Sequence, residues 1–158
     1  MELIVGIGEM ATSDDPRAVL VTYSLGSCVG LTLYDPVSRV GGLIHCMLPL
    51  SKIDPDKAKE NPARFTDTGV VCLLQALLAQ GAERKRLIAK VAGAAKLLDQ
   101  KGMFKIGERN YAVLRKVLWK NNILIEAEDV GGTAARTMYL HVDSGSTSIK
   151  SNGQKVSL

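Results

Sequence analysis

The sequence is poor in the residues that several common kinds of function need. Aromatic residues make up 4% of it, and its one tryptophan, four tyrosines and two phenylalanines are not interleaved with basic residues, so no base-stacking surface for nucleic acid is indicated. The three cysteines form an odd set without a CxxC spacing, which argues against a disulfide framework and a closed zinc site. We expect no nucleic-acid partner, no metal and no cofactor.

Long hydrophobic runs are also absent. No uncharged stretch approaches bilayer-spanning length, and the first residues, Met1 to Gly6, place no basic region ahead of an apolar one. Free thiols fit a reducing compartment. We therefore predict a cytoplasmic protein that is not inserted in a membrane. At 158 residues the chain has the size of one domain, which we predict over residues 1–158.

The positive charge is concentrated in one segment. The chain carries a net charge of +4, but residues 82–120 hold eleven Lys or Arg against three acidic residues. Solvated outer faces of helices are the ordinary explanation for such a segment. An acidic partner is the alternative.

Short runs of Val, Ile and Leu between turn residues predict several strands and two helices. Asp35-Pro36 predicts a hairpin turn, three prolines predict an exposed loop over 49–62, and Gly145 and Asn152-Gly153 predict terminal hairpins. The strands are predicted at 2–7, 18–23, 28–34, 40–47, 87–91, 123–127 and 137–142, and the helices at 66–80 and 108–121. These elements predict an α+β layered domain.

A thiol and an imidazole are brought together by the predicted hairpin. Cys28 follows Gly26 and Ser27 in a turn and begins one strand, and His45 lies near the end of the next, so the two residues come to the same end of the pair. An imidazole that removes the thiol proton makes a nucleophile. Unpaired backbone N–H groups in the turn would stabilise an oxyanion.

The other candidate groups fit this chemistry less well. Cys46 neighbours His45 on a strand and points to the opposite face, and Cys72 lies in a predicted helix interior as a core residue. Thr22 would orient the imidazole through its hydroxyl, although a β-branched strand residue needs no such role. The segment from Gly6 to Ala11 matches a dinucleotide fingerprint, but a breaker cluster follows where a helix must begin.

Several of these residues also occur together in a known family. The matching segments are Gly6-Ile7-Gly8-Glu9, Thr22 with Leu25-Gly26-Ser27-Cys28-Val29, Asp35-Pro36, His45-x-Met47-Leu48-Pro49, Ile106-Gly107-x-Arg109-Asn110 and Glu128-Asp129-x-Gly131-Gly132. In this order they resemble the CheD family of chemoreceptor glutamine deamidases.

The resemblance implies a layered mixed β core of two packed sheets flanked by helices, similar to the catalytic domain of deamidating toxins. It implies a Cys-His-Thr triad at Cys28, His45 and Thr22, with Gly26 and Ser27 forming the oxyanion turn. Its implied substrates are glutamines on the cytoplasmic helices of chemoreceptors, and its implied partner in some members is the phosphatase CheC. A regulatory binding module without catalysis and a receptor methylester hydrolase remain as alternatives.

Overall fold

The computed structural model describes residues 1–96 and 105–158. Within these residues it contains ten strands and three α-helices. The strands are β1 (Glu2–Ile4), β2 (Met10–Ser13), β3 (Val19–Leu25), β4 (Val29–Asp35), β5 (Val40–Cys46), β6 (Ile88–Gly93), β7 (Ile125–Val130), β8 (Arg136–His141), β9 (Thr147–Ser151) and β10 (Gln154–Ser157). The helices are α1 (Pro55–Glu60), α2 (Thr66–Ala79) and α3 (Ile106–Lys120). Short 3₁₀ turns occupy Ser51–Ile53, Pro62–Arg64 and Arg84–Arg86.

The strands form two five-stranded mixed sheets. The first sheet has the order β1-β3-β8-β9-β10 and the second has the order β2-β5-β4-β6-β7. One pair in each sheet is parallel, β1 with β3 and β6 with β7, and the other pairs are antiparallel. The central pair of the second sheet is the β4–β5 hairpin, which is paired from Asp35 opposite Val40 to Val29 opposite Cys46.

Strand alternation divides the core into two clusters. One face of the second sheet, with Leu31, Ile44 and Cys46, packs against the apolar sides of α2 and α3. The opposite face, with Tyr34 and Leu43, packs against the first sheet. Strands β4 and β5 are buried along their whole length because both of their faces are covered. The molecule is therefore layered as sheet, sheet and helices.

This architecture confirms the predicted α+β fold with two packed sheets and flanking helices. The Asp35-Pro36 hairpin and both terminal hairpins are also present. Most of the other strands begin or end a few residues from their predicted bounds, because pairing partners rather than composition determine where a strand ends.

Two predictions of local structure are wrong. The predicted strand at 2–7 ends at Ile4, because the N–H of Gly6 turns back to the Glu9 carboxylate at 2.7 Å. The chain then forms β2, which the sequence did not predict. The predicted loop over 49–62 contains α1 and two 3₁₀ turns, and Pro55 occupies the first turn of α1, where a proline is well tolerated.

The helices in the described ranges are too short or too polar to cross a bilayer. The basic segment 82–120 spreads over the turn at Arg84–Arg86, β6 and α3, and its residues 97–104 lie outside the described part of the chain.

Candidate active site

The β4–β5 pair determines where Cys28 and His45 lie relative to each other. Gly30 is directly opposite His45, and Cys28 lies two residues before Gly30. Cys28 lies in the turn just before β4 and packs against the cluster between the two sheets, which is the side of the second sheet that carries His45. This face is covered by the first sheet. Leu25 and Met138 of the first sheet fill the space over Gly30, since a Cβ there would lie 2.9 Å from Leu25 Cδ1 and 3.1 Å from Met138 Sδ.

The turn that carries Cys28 is fixed by hydrogen bonds to its carbonyl groups. These bonds run from Ala95 N–H to Gly26 O at 2.8 Å, from Asn110 Nδ2 to Ser27 O at 3.0 Å and from Ala94 N–H to Cys28 O at 2.8 Å. In a trans peptide the N–H points away from the C=O, so the N–H groups of Ser27 and Cys28 face away from these partners. Within the described ranges neither N–H has an acceptor. Such donors are suited to an oxyanion.

Thr22, on β3 of the first sheet, reaches across the layer to His45. Its Oγ1 lies 2.7 Å from His45 Nδ1 and 2.6 Å from the carbonyl oxygen of Val5. The carbonyl can only accept, so the single hydroxyl hydrogen goes to Val5 and the oxygen accepts from Nδ1–H. The network therefore assigns the ring proton to Nδ1 and leaves a lone pair on Nε2. The backbone of His45 is held by Glu9 O and Gly8 N–H.

The other ring nitrogen of His45, Nε2, is buried and has no hydrogen-bond partner among residues 1–96 and 105–158. Cys28 Sγ therefore does not donate to it here. Leaving a buried acceptor unpaired costs about 1–3 kcal/mol. Hydrogen bonds between catalytic groups are often long before substrate binds. A buried imidazole nitrogen without a partner is free to accept a proton, as a general base must.

Burial determines the protonation state of both groups. The fully buried His45 has its pKa lowered by burial to about 4, so its imidazole is neutral at pH 7. Burial raises the pKa of the Cys28 thiol, and the N–H of Cys28 itself opposes this shift. Both groups are thus neutral at pH 7. This pair suits a proton transfer during attack rather than a permanent thiolate and imidazolium.

The other two cysteines lie elsewhere. Cys46 is completely buried on the helix-facing side of the sheet, and burial raises the pKa of its thiol far above the ordinary value. Cys72 is half-buried in α2, so its predicted core position is wrong: it lies at the edge of the helix's buried stripe, beside Val5 and Gly8. Over the described residues, no group of three His, Cys, Asp or Glu side chains is suited to a metal.

Two residues around the site had no role assigned from the sequence, although Asn110 belongs to one of the segments that match the family. Val5 supplies the carbonyl that fixes the Thr22 hydroxyl, and Asn110 donates to the turn from α3. A carbonyl has no signature in a sequence. Asn110 is fully buried in an amphipathic helix, and a polar residue on the apolar stripe is the signal that would have indicated a specific role.

A cavity of about 340 Å³ opens beside the turn. Its lining consists largely of small residues, among them Ser27, Ala94, Ala95, Gly107, Gly131 and Gly132. Ser27 connects it to the turn, and neither Cys28 nor His45 lines it. The strand end at Gly93 also approaches the turn closely, since a Cβ at Gly93 would collide with the Cys28 carbonyl.

Comparisons with known proteins agree with the resemblance. Residues 47–151 match the family model described as CheD chemotactic sensory transduction. A protein of Solibacter usitatus named "Probable chemoreceptor glutamine deamidase CheD" is 46% identical over 99% of this chain and 93% of its own length. A relative from Syntrophus aciditrophicus, named "Probable chemoreceptor glutamine deamidase CheD 1", is 45% identical over 96% and 95%.

Among solved structures, the Bacillus licheniformis hypothetical protein YfiH aligns with a TM-score of 0.49 and 16% identity, covering 77% of this chain and 49% of that one. At that distance the alignment carries no argument about function.

Proposed function

The chain belongs to the CheD family, and we propose that it deamidates specific glutamine side chains of chemoreceptors to glutamate by a thiol mechanism. The observation that carries this proposal is the buried, unpaired Nε2 of His45 on the sheet face that Cys28 shares, with the Nδ1 proton held by Thr22. The names of the relatives supply the substrate class. The roles of the individual residues are part of the proposal.

The reaction begins when Cys28 Sγ–H transfers its proton to His45 Nε2 and the sulfur bonds to the carboxamide carbon of a glutamine. The carbonyl oxygen becomes an oxyanion, which the N–H groups of Ser27 and Cys28 stabilise. Gly26 supports this step because its carbonyl accepts from the Ala95 N–H, which holds the turn in place. Thr22 accepts from the imidazolium Nδ1–H throughout, as a neutral partner.

The intermediate collapses when the C–N bond breaks and the nitrogen takes the proton from Nε2, which releases ammonia and leaves a thioester. Water then gives a proton to Nε2 and attacks the thioester. The C–S bond breaks, Cys28 regains its proton, and glutamate is released. One water is consumed and one ammonia is formed in each cycle.

Each turnover replaces a neutral amide with a carboxylate on a receptor helix. A new negative charge changes helix packing, and we propose that this adjusts chemotaxis signalling. The substrates implied by the resemblance to the CheD family are cytoplasmic helices of chemoreceptors. We therefore propose that this protein acts in the cytoplasm. CheC is a predicted partner on the resemblance alone.

Mass spectrometry of a chemoreceptor cytoplasmic fragment tests the proposal. The wild type should convert defined glutamines to glutamate with release of ammonia, and Cys28→Ala should lose at least about 10³-fold of this rate. Cys46→Ala is the matched control, because it removes a neighbouring thiol from the other face and should keep the activity. No conversion in any receptor fragment would contradict the proposal.

The same experiment separates the two alternatives. A methyl-esterified fragment whose esters are cleaved while its amides stay intact would identify a methylester hydrolase. A binding module would bind the fragment equally well as wild type and as Cys28→Ala, and it would release no ammonia.

A further inference from the structure

Asn110 links the strand ends that carry Cys28 and His45. It is fully buried in α3, and its Nδ2 donates to Ser27 O at 3.0 Å and to Met47 O at 3.1 Å. Its Oδ1 lies 3.3 Å from the Thr66 hydroxyl, whose single hydrogen is shared with Leu48 O at 3.1 Å. Ser27 precedes Cys28, and Met47 lies two residues after His45. One side chain from a third element therefore contacts the chain beside both residues.

The chemistry of these partners determines how the amide is oriented. An amide nitrogen has two hydrogens, and two carbonyl oxygens receive them. Turning the amide over would place Oδ1 against both carbonyls and leave the Thr66 hydroxyl facing an NH₂ group. Because only one orientation gives both amide hydrogens an acceptor, the side chain acts as a rigid bridge.

The Asn110 amide lies at the end of the second sheet, where the pairing of β4 with β5 stops. The β4–β5 ladder ends with Val29 opposite Cys46. Beyond that pair, the N–H groups of Met47 and Leu48 turn to Arg64 O, and Cys28 O turns to Ala94. No backbone hydrogen bond within the described ranges joins the turn to residues 47 and 48. The Asn110 amide takes the place of the next pair of the ladder.

The same bond determines which way the nucleophile's peptide faces. Ser27 O and the N–H of Cys28 belong to one trans peptide and point in opposite directions. With the carbonyl held against α3, the N–H faces away from the helix, where it has no acceptor among the described residues. Without the bond to Asn110, this peptide could rotate and turn its N–H away from the developing oxyanion.

We infer that Asn110 is a positioning residue of the proposed reaction: its amide bridges Ser27 O and Met47 O, which fixes the separation of Cys28 and His45 and aims the Cys28 N–H at the oxyanion. The inference rests on the proposed function. Asn110 itself does not touch the substrate, so its removal should act on the catalytic step and leave the binding of substrate largely intact.

Steady-state kinetics of Asn110→Ala on a receptor fragment tests this inference. We expect kcat to fall about 10- to 100-fold with KM changed less than about threefold, as expected for an interaction that matters in the transition state. Leu114→Ala is the matched control, since it truncates a fully buried residue one turn further along α3 that packs in the core. Both variants should lose stability, but only Asn110→Ala should lose kcat.

A second measurement needs no deamidase activity. The rate at which iodoacetamide alkylates Cys28, followed against pH by peptide mass spectrometry, should shift to higher pH in Asn110→Ala and not in Leu114→Ala, because a misdirected N–H no longer stabilises the thiolate. Thr66→Val, which removes the hydroxyl that contacts both Oδ1 and Leu48 O but keeps both bonds of the Asn110 nitrogen, should give an intermediate shift if Asn110→Ala does not fold. Equal kcat and equal alkylation profiles in Asn110→Ala and Leu114→Ala would overturn the inference. If the wild type deamidates nothing, the alkylation profile alone decides it.

Discussion

Cys28 and Cys46 lie almost side by side on the β4–β5 pair, yet their surroundings are opposite. Cys46 faces the helices and is completely buried. Together with Ile44, it packs closely against Gly69 of α2. Cys28 precedes the strand, is partly exposed, and lies beside unpaired N–H groups on the face that carries His45. The same thiol is a core side chain in one position and a candidate nucleophile in the other.

The difference shows that one step along a strand decides which chemistry is available. Successive side chains point to opposite faces, so His45 and Cys46, although neighbours in sequence, belong to different layers. The helix-facing layer surrounds Cys46 mainly with apolar side chains and, over the described residues, places no imidazole there. The layer between the sheets brings the Thr22 hydroxyl to the His45 imidazole, and the Cys28 thiol packs against the same layer.

Alkylation of the native protein tests the contrast most directly. Iodoacetamide should modify Cys28 at least about 10³-fold faster than Cys46, because Cys46 reacts only when the protein opens and a stable domain opens rarely. Peptide mass spectrometry at several times gives both rates in one sample. Equal rates in the folded protein would show that the second sheet does not separate the two thiols.

Acid should destabilise the protein through His45 and not through Cys46. Burial lowers the His45 pKa to about 4 in the folded state, whereas an unfolded chain has the ordinary value of 6.5. The unfolded state therefore binds the proton first, and the free energy of unfolding falls as the pH drops from 6.5 to 4, by up to about 3 kcal/mol. Urea unfolding at pH 7 and pH 4.5 measures this loss.

The matched variants make that measurement specific. His45→Gln should lose much less stability between the two pH values, and Cys46→Ala should lose as much as the wild type, since its thiol stays neutral throughout. An unchanged pH dependence in His45→Gln would mean that other groups cause the acid loss.

Thr22→Val should weaken His45 as the base for Cys28 and so reduce the difference in reactivity between Cys28 and Cys46. The substitution keeps the shape but leaves the Val5 carbonyl and the Nδ1–H of His45 without their partner, so the Nε2 lone pair is no longer favoured. We expect a decrease of about tenfold in kcat, the size of one hydrogen bond. Thr22→Ser, which keeps the hydroxyl, should retain most of the activity; equal losses in both variants would refute the proposed role of the hydroxyl.

The sequence predicted the parts of the fold that local pattern controls. The β4–β5 hairpin carries apolar residues on both sides of Asp35-Pro36, and its two strands are buried throughout. Strand β2 was missed because Met10–Ser13 is largely unburied, and its pairing with β5 rather than its own composition makes it a strand. Helix α1 was missed because the three prolines of residues 49–62 read as breakers, although Pro55 begins the helix.

The candidate site likewise has a part that the sequence indicates and a part that it does not. The approach of His45 to the start of β4 follows from the hairpin, which a sequence can indicate. The bonds from Thr22 to Val5 and from Asn110 to Ser27 join residues 17 and 83 positions apart. No periodicity encodes such pairs, because they depend on how the sheets and α3 pack.

The contact between Thr22 and Val5 also affects how the protein should lose activity on heating. Val5 follows the short strand β1, which lies at the edge of the first sheet and pairs only with β3 in the described structure. Edge segments open locally at a lower free energy than the whole domain. An opening that lifts β1 releases the hydroxyl that holds the His45 tautomer while the two cores stay intact. Thermal inactivation should therefore precede the loss of secondary structure, with the first segment of the chain governing the working temperature of the candidate site at Thr22, Cys28 and His45.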